Sequence, residues 1–213
     1  NEQLQQQFEL EQVDSILIIA MMTRLRQICC EPRMLYENYK GESTKFTMCL
    51  ELIETLKENG KKVLLFSSFT SIFDSFIEEF NQRGIKYHMI TGAVDKKKRK
   101  EEVDAFQSDD SDVFLISLKA GGTGLNLTKA QAVIHYDPWW NVSAQNQATD
   151  RAYRIGQTKN VLVYQLLMKN TIEAKIYEME KRKKEMSDIF VENSNGGIST
   201  LSKEELRDLF SME

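Results

Sequence analysis

The 213-residue sequence has little proline, glycine and cysteine, and each shortage excludes a class of protein. Two prolines and ten glycines are too few for a collagen-like or low-complexity chain, and they predict long regular elements with few breaks. Cys29, Cys30 and Cys49 are too few for a disulfide scaffold, and their spacing matches no metal-ligand motif. No apolar run approaches the roughly 20 residues that a membrane span requires, so no membrane partner is expected.

A large excess of positive charge is also missing. The sequence has 28 Lys and Arg against 32 Asp and Glu, which gives a formal net charge of −4. A mildly acidic chain does not by itself indicate nucleic-acid binding, so such a function would need a local patch. The basic run, residues 96–100 (KKKRK), is a candidate for contact with a nucleic-acid backbone. The alternative interpretation is an ordinary solvated helix face.

The two ends of the sequence carry no visible targeting signal. The chain starts at Asn1 with a Gln-rich stretch, and no signal or transit peptide is apparent. Free thiols suit a reducing compartment, so the cytoplasm is the expected location. A start at Asn rather than Met predicts that the chain is an excised piece of a larger protein.

Short apolar runs alternate with amphipathic segments along the chain. The runs predict five strands, at 63–66, 87–90, 113–118, 132–136 and 161–168. The amphipathic segments predict helices at 13–30, 44–59, 71–83, 95–107, 142–155, 171–186 and 202–210. Ser71-x-x-Asp74 resembles a capping box. The alternation predicts an α/β fold with a parallel sheet and helices on both faces, which binds ligands beyond the carboxyl ends of its strands.

Three segments carry residue types suited to chemistry. A glycine-rich turn at 119–127 (KAGGTGLNL) could receive a phosphate or ribose, or it could be only a tight strand-to-helix turn. Gln147, Arg151 and Arg154 share one face of a predicted helix, where two arginines could clamp a phosphate. The alternative there is a solvated face with an arginine paired to an aspartate. The DPWWN segment at 137–141 offers either core tryptophans or a stacking platform.

Taken together and in order, these segments resemble the second RecA-like lobe of the SNF2 (SWI2/SNF2) ATPases of helicase superfamily 2. The segments that carry the resemblance are KVLLFSSFT (62–70), MITG (89–92), ISLKAGGTGLNLT (116–128), VIHYDPWWN (133–141) and QATDRAYRIGQ (147–157). Upstream, RLRQICCEP (24–32) is similar to the family's entry helix, and TIEAKIYEMEKRK (171–183) is similar to its bracing helix. The DPWWN form is most similar to bacterial and archaeal members.

The resemblance implies roles for individual residues. Arg151 and Arg154 match the arginine fingers that reach the γ-phosphate of ATP, with Gln147 and Gln157 in supporting roles. The turn residues Gly122, Gly124 and Asn126 match the motif that couples the ATP cleft to DNA. The positions that match contacts to DNA are Ser67, Thr91, Gly92, Lys119, Trp140 and Asn141. Ser68 departs from the family, because many members have Gln there.

The resemblance also implies what this sequence lacks. The family's first lobe carries the GKT phosphate loop and the DExH box, and neither motif occurs here. ATP and Mg²⁺ would therefore be held mainly by a first lobe of the same protein, and we expect this chain alone to be inactive. The implied partners are double-stranded DNA, that first lobe and a protein–DNA complex as remodelling target, which implies a nucleoid-associated or, in a eukaryote, nuclear protein. A non-catalytic DNA- or protein-binding module is the alternative.

These motifs divide the sequence into four predicted parts. The parts are an entry segment (1–44), a RecA-like lobe (45–170), a bracing helix (171–192) and a linker with a short helix (193–213).

Overall fold

The computed structural model describes residues 15–121, 125–139, 149 and 160–189, in which helices and strands alternate. The helices are α1 (Ser15–Cys30), α2 (Thr44–Glu58), α3 (Ile72–Arg83), α4 (Lys96–Ser108), α5 (Leu118–Gly121) and α6 (Ile172–Ile189), with a 3₁₀ turn at Pro32–Met34. The strands are β1 (Lys62–Ser67), β2 (Tyr87–Ile90), β3 (Val113–Ser117), β4 (Ala130–His135) and β5 (Leu162–Gln165). The predicted helix at 202–210, and that at 142–155 apart from the helical Thr149, lie outside the described residues.

The five strands form one parallel sheet in the order β2-β3-β1-β4-β5. β1 lies at the centre, where Phe66 is in register with Ile116 on β3 and His135 on β4. Consecutive parallel strands need crossover connections, and α3 and α4 supply those from β1 to β2 and from β2 to β3. The predicted α/β fold with a RecA-like parallel sheet is confirmed.

Both faces of the sheet are covered, because successive side chains of a strand point to opposite faces. On one face, a first apolar cluster joins Val63 and Leu65 of β1 to α2 and α3 through buried residues such as Ile53 and Phe76. On the other face, a second cluster joins the alternate β1 residues to Phe106 of α4. Strands buried on both sides explain why these runs are continuously apolar rather than alternating.

Two local predictions need correction. The capping box at Ser71 is wrong: its backbone is already helical (φ −64°, ψ −20°), and its side chain makes no cap hydrogen bond. The fifth strand is shorter than predicted, because β4, its neighbour among the described strands, ends at His135 opposite Gln165. The amide of Leu166 still donates to the carbonyl of His135 at 3.0 Å, and the chain then leaves the sheet.

A buried ion pair fixes α6 to the start of the domain. Lys45 Nζ on α2 lies 2.7 Å from both carboxylate oxygens of Glu173 on α6, and both side chains are almost fully buried. The amide of Met168 also donates to Glu173, at 3.1 Å. Burial raises the pKa of Glu173, and the Lys45 ammonium opposes that rise. The bracing helix is therefore fastened to the lobe through charge as well as apolar packing.

Candidate functional site

The carboxyl ends of all five strands meet at one edge of the sheet, because the strands are parallel. The strands end there at Ser67, Ile90, Ser117, His135 and Gln165. This is the edge at which sheets of this class bind ligands. The described residues predicted from sequence to contact DNA all lie at or just beyond it.

Asp137, two residues beyond β4, organises this edge. Its Oδ1 accepts from the Ser67 hydroxyl at 2.7 Å and from the Ser68 amide at 2.9 Å. Its Oδ2 accepts from Arg26 at 2.9 Å and from the Ser68 hydroxyl. A carboxylate offers about four lone-pair positions, so these four donors satisfy it. The side chain is fully buried and ties the end of β1 to the end of β4.

Arg26 reaches this edge from α1 and is only 5% exposed. Besides Asp137, its guanidinium donates to the Ser68 hydroxyl at 3.0 Å and to the Pro138 carbonyl at 2.8 Å. The guanidinium also lies 5.0 Å from the centre of the Phe69 ring. One arginine therefore contacts the segments that follow two different strands.

Ser67, for which the resemblance predicts a DNA contact, is the last residue of β1 at this edge. Its side chain is fully buried, and its hydroxyl is used by Asp137. We therefore propose that Ser67 positions the end of β1 and does not itself contact a phosphate. The hydroxyl of Ser68 also turns inward to Asp137 and Arg26, which accounts locally for a short residue where many family members have Gln.

Thr91 and Gly92 follow β2 at the same edge. The Thr91 carbonyl accepts from the Val94 amide at 3.2 Å, which closes the turn. Gly92 is exposed, and a Cβ built on it would meet no atom within 4 Å. Its φ is not positive. Neither its own backbone nor its described neighbours therefore require glycine at this position.

The glycine-rich turn after β3 is described only at its two ends. Lys119 lies in α5, and Asn126 is exposed. A glutamine on α4 holds the far end of the turn: Gln107 Nε2 donates to the Asn126 carbonyl at 2.9 Å, and its Oε1 accepts from the Lys129 amide at 2.9 Å. Sequence reasoning missed Gln107, because no local pattern pairs it with a turn about 20 residues away.

The first turns of α4 carry the basic run at the same edge. Asp95 caps the helix by accepting from the amides of Lys97 and Lys98 at 2.8 and 2.9 Å. The four lysines of the run are exposed, and none forms an ion pair with another described residue. Helix dipoles favour anions at this end, so the run opposes the dipole.

His135 links β4 to the segment that contains the predicted arginine fingers. Its Nε2 lies 2.8 Å from the hydroxyl of Thr149, which is two residues before Arg151 in sequence. The imidazole is buried and stacks on Phe66, with ring centres 5.6 Å apart. Burial lowers the pKa of His135 to about 4, against a partial opposing effect of Asp137. Sequence reasoning missed this contact, although a polar residue ending a buried strand was a signal.

Eight of the predicted site residues lie outside the described residues. They are Gly122, Gly124, Trp140, Asn141, Gln147, Arg151, Arg154 and Gln157. Their roles remain predictions.

The described ranges hold no candidate for a metal site or a membrane span. No group of three or more His, Cys, Asp or Glu side chains there could hold a metal ion. No helix within the same ranges is long and apolar enough to cross a membrane.

Comparison with known proteins identifies the family. Residues 44–156 match the family described as the helicase conserved C-terminal domain. An uncharacterized ATP-dependent helicase of Mycoplasma pneumoniae is 39% identical over 207 residues, which is 95% of this chain and 20% of that protein. The putative ATP-dependent helicase/translocase YwqA of Bacillus subtilis is 37% identical over 202 residues, covering 92% of this chain and 22% of YwqA. The chain thus spans about a fifth of the length of these curated relatives.

The solved structures agree with the sequence relatives. The Sulfolobus solfataricus SWI2/SNF2 ATPase core in complex with dsDNA superposes with a TM-score of 0.79 at 29% identity, covering 100% of this chain and 46% of that one. The chain therefore belongs to the SNF2 family and corresponds to the C-terminal RecA-like lobe of its ATPase core.

Proposed function

We propose that this chain is the second lobe of an ATP-dependent double-stranded DNA translocase or remodeller. It supplies Arg151 and Arg154 to ATP bound on a first lobe, and its carboxyl edge grips the DNA backbone. The observation that carries the proposal is the likeness over the whole chain to a SWI2/SNF2 core solved with dsDNA. A protein–DNA complex is the proposed remodelling target, in the nucleoid or nucleus.

The chemistry asked of this lobe is charge stabilisation. In phosphoryl transfer, negative charge spreads over the oxygens of the transferred group, and a planar arginine can stabilise it with two parallel hydrogen bonds. Gln147 and Gln157 flank the fingers and support them at the cleft. Gly122, Gly124 and Asn126 form the turn that links the cleft to DNA.

We assign DNA contact to residues that follow the strand ends in sequence. Thr91 and Gly92 follow β2, Lys119 follows β3, and Trp140 and Asn141 follow β4. The open space around Gly92 supports this assignment, because a glycine that its own lobe does not require suits the close approach of a ligand.

ATP and Mg²⁺ need more than this lobe provides. The sequence has no GKT loop and no DExH box, and its described residues offer no carboxylate cluster for a metal. A first lobe must therefore hold both, and the 213-residue chain alone should hydrolyse ATP negligibly.

The test is an arginine-finger substitution in the full-length protein. Arg154→Ala should lower DNA-stimulated ATP hydrolysis by about 10³-fold or more, the range typical of arginine fingers. Arg83→Ala is the matched control, because Arg83 is a surface arginine on α3 paired with Glu54 and Glu79. The control should retain wild-type turnover.

The competing function is a binding module without catalysis. It would be favoured if the full-length protein, given DNA and Mg²⁺, hydrolysed no ATP. Turnover of Arg154→Ala within a few-fold of wild type would instead reject only the finger assignment. The sequence preceding Asn1 offers an independent check, since a translocase must encode the GKT loop and the DExH box.

A further inference from the structure

Arg26 forms a buried ion pair with a residue far from it in sequence. It lies on α1, 111 residues from Asp137, yet the two form a buried ion pair at 2.9 Å. The same nitrogen also donates to the Ser68 hydroxyl and the Pro138 carbonyl. The pair therefore fixes one helix against the segments after both β1 and β4.

Stability alone gives a weak reason for such a pair. Removing two charges from water is costly, and well-packed apolar side chains of similar volume often hold a core equally well. An apolar pair would attach α1 to the sheet but would leave the direction of the two loops free. A guanidinium shared among a carboxylate, a hydroxyl and a carbonyl fixes both direction and distance.

We propose that Arg26 is a positioning residue that makes α1 and the ends of β1 and β4 one rigid unit. This inference rests on the proposed function, in which a first lobe precedes α1 in sequence and the segment after β4 carries Trp140 and Asn141 to DNA. When the lobes close on ATP and α1 moves, the segments that face DNA then move with it, because α1 and the ends of β1 and β4 are rigidly connected.

A second contact supports a rigid unit at the end of α1. The hydroxyl of Tyr136 donates to the carbonyl of Cys30, the last residue of the helix, at 2.6 Å. Tyr136 is adjacent to Asp137, so α1 is held at two points about one helical turn apart, and both fix the same segment after β4. A helix held at two points cannot swivel independently of that segment.

The test compares DNA coupling in variants of the full-length protein. Arg26→Met keeps length and packing but removes the donors, and Arg26→Lys keeps only a point charge. The measurement is the ratio of ATP turnover with saturating duplex DNA to turnover without DNA, together with the thermal midpoint. Arg26→Met should lower that ratio at least tenfold while the protein remains folded, and Arg26→Lys should restore part of it.

Two further variants keep the test decisive. If Arg26→Met does not fold because Asp137 is left buried without its cation, Arg26→Met with Asp137→Asn removes the unpaired charge and should show the same loss of coupling. Arg33→Met is the control, since Arg33 lies just after α1 and pairs with Glu31 instead of the strand ends. Its ratio should equal that of the wild type.

The outcomes separate this inference from the proposed function. A wild-type protein stimulated by DNA, with a folded Arg26→Met or double variant within twofold of its ratio, would overturn the positioning role alone. Equal losses of turnover with and without DNA would also overturn it, because they would indicate a merely structural arginine. A wild-type protein that DNA does not stimulate would overturn both proposals.

Discussion

Gly84 and Gly92 both lie in turns, but the fold needs glycine at only one of them. Gly84 ends α3 with φ +61°, a left-handed conformation that costs other residues about 1 kcal/mol or more. Gly92 has neither a positive φ nor a close neighbour. The first glycine serves the backbone, and the second is available to serve a ligand.

Alanine substitution should separate these two roles. Gly84→Ala should lower the free energy of unfolding by about 1–2 kcal/mol and leave DNA affinity unchanged. Gly92→Ala should leave the unfolding free energy unchanged and weaken DNA binding, since a methyl group would stand where the backbone approaches. Urea unfolding and duplex-DNA titration measure the two effects, and equal stability losses would contradict the distinction.

His135 should make the stability of the chain depend on pH in the acid range. Its pKa is about 4 in the folded chain against an ordinary value of 6.5, so below pH 6.5 the unfolded state binds more protons. Stability is therefore lost as the pH falls from 6.5 towards 4, by roughly 3 kcal/mol in total.

The His135→Gln variant isolates this effect from other titrating groups. Between pH 7 and pH 4, its unfolding free energy should fall by about 3 kcal/mol less than that of the wild type. Urea denaturation at four pH values measures both. If the unfolding free energies of wild type and variant change in parallel with pH, His135 has the same pKa in the folded and unfolded states.

The Thr149 hydroxyl contacts His135 of β4 at 2.8 Å, two residues before Arg151 in sequence. Thr149→Val removes that hydroxyl with little change in shape, whereas Thr149→Ser keeps it. In the full-length protein, the Val variant should lose about tenfold in DNA-stimulated turnover, which corresponds to the loss of one hydrogen bond. The Ser variant should stay near wild type. If Ser and Val behave alike, the hydroxyl does not place the arginines.

The charge order of α4 is the reverse of the order that favours a helix. Lysines occupy its first turn, while Glu101, Glu102 and Asp104 follow them. Both the helix dipole and the preferred order of acidic and basic residues favour the opposite arrangement. This order costs helix stability, and we propose that the run contacts an anionic partner; a solvated helix face is the alternative.

Neutralising one lysine of the run should therefore change stability and binding in opposite directions. Lys97→Gln should stabilise the chain by about 0.3–1 kcal/mol and reduce the slope of log affinity for duplex DNA against log salt by about 0.9. Lys61→Gln, at the opposite end of β1, is the control and should leave the slope unchanged. An unchanged slope for Lys97→Gln would indicate that the run is an ordinary solvated helix face that does not contact DNA phosphates.

For the molecule as a whole, the elements that local sequence patterns determine were predictable, whereas contacts between distant segments were not. The second strand was predicted at 87–90 and is found there, because a short apolar run bounded by turns determines it. The pairs that join distant segments, Arg26 with Asp137 and Lys45 with Glu173, were not predicted. No periodicity marks two charges more than 100 residues apart, and only the assembled fold brings them together.

The site was predictable to the extent that a parallel sheet brings the carboxyl ends of its strands to one edge. The resemblance predicts a DNA contact for Ser67 and gives no direction for its hydroxyl, which donates to the carboxylate of Asp137. The orientation of a buried polar group depends on its hydrogen-bond partners, and a single sequence does not show which residues these are.

The ion pair between Lys45 and Glu173 determines where this chain can be truncated. A fragment ending with the matched region at residue 156 would lose β5, which pairs with β4, and the Glu173 carboxylate that pairs with Lys45. Removing one partner of a buried ion pair costs about 3–5 kcal/mol, a large part of the 5–15 kcal/mol that holds a typical domain together. A fragment cut after α6 should therefore express as folded protein where one cut at residue 156 precipitates, so the smallest autonomous unit is longer than the region that the family shares.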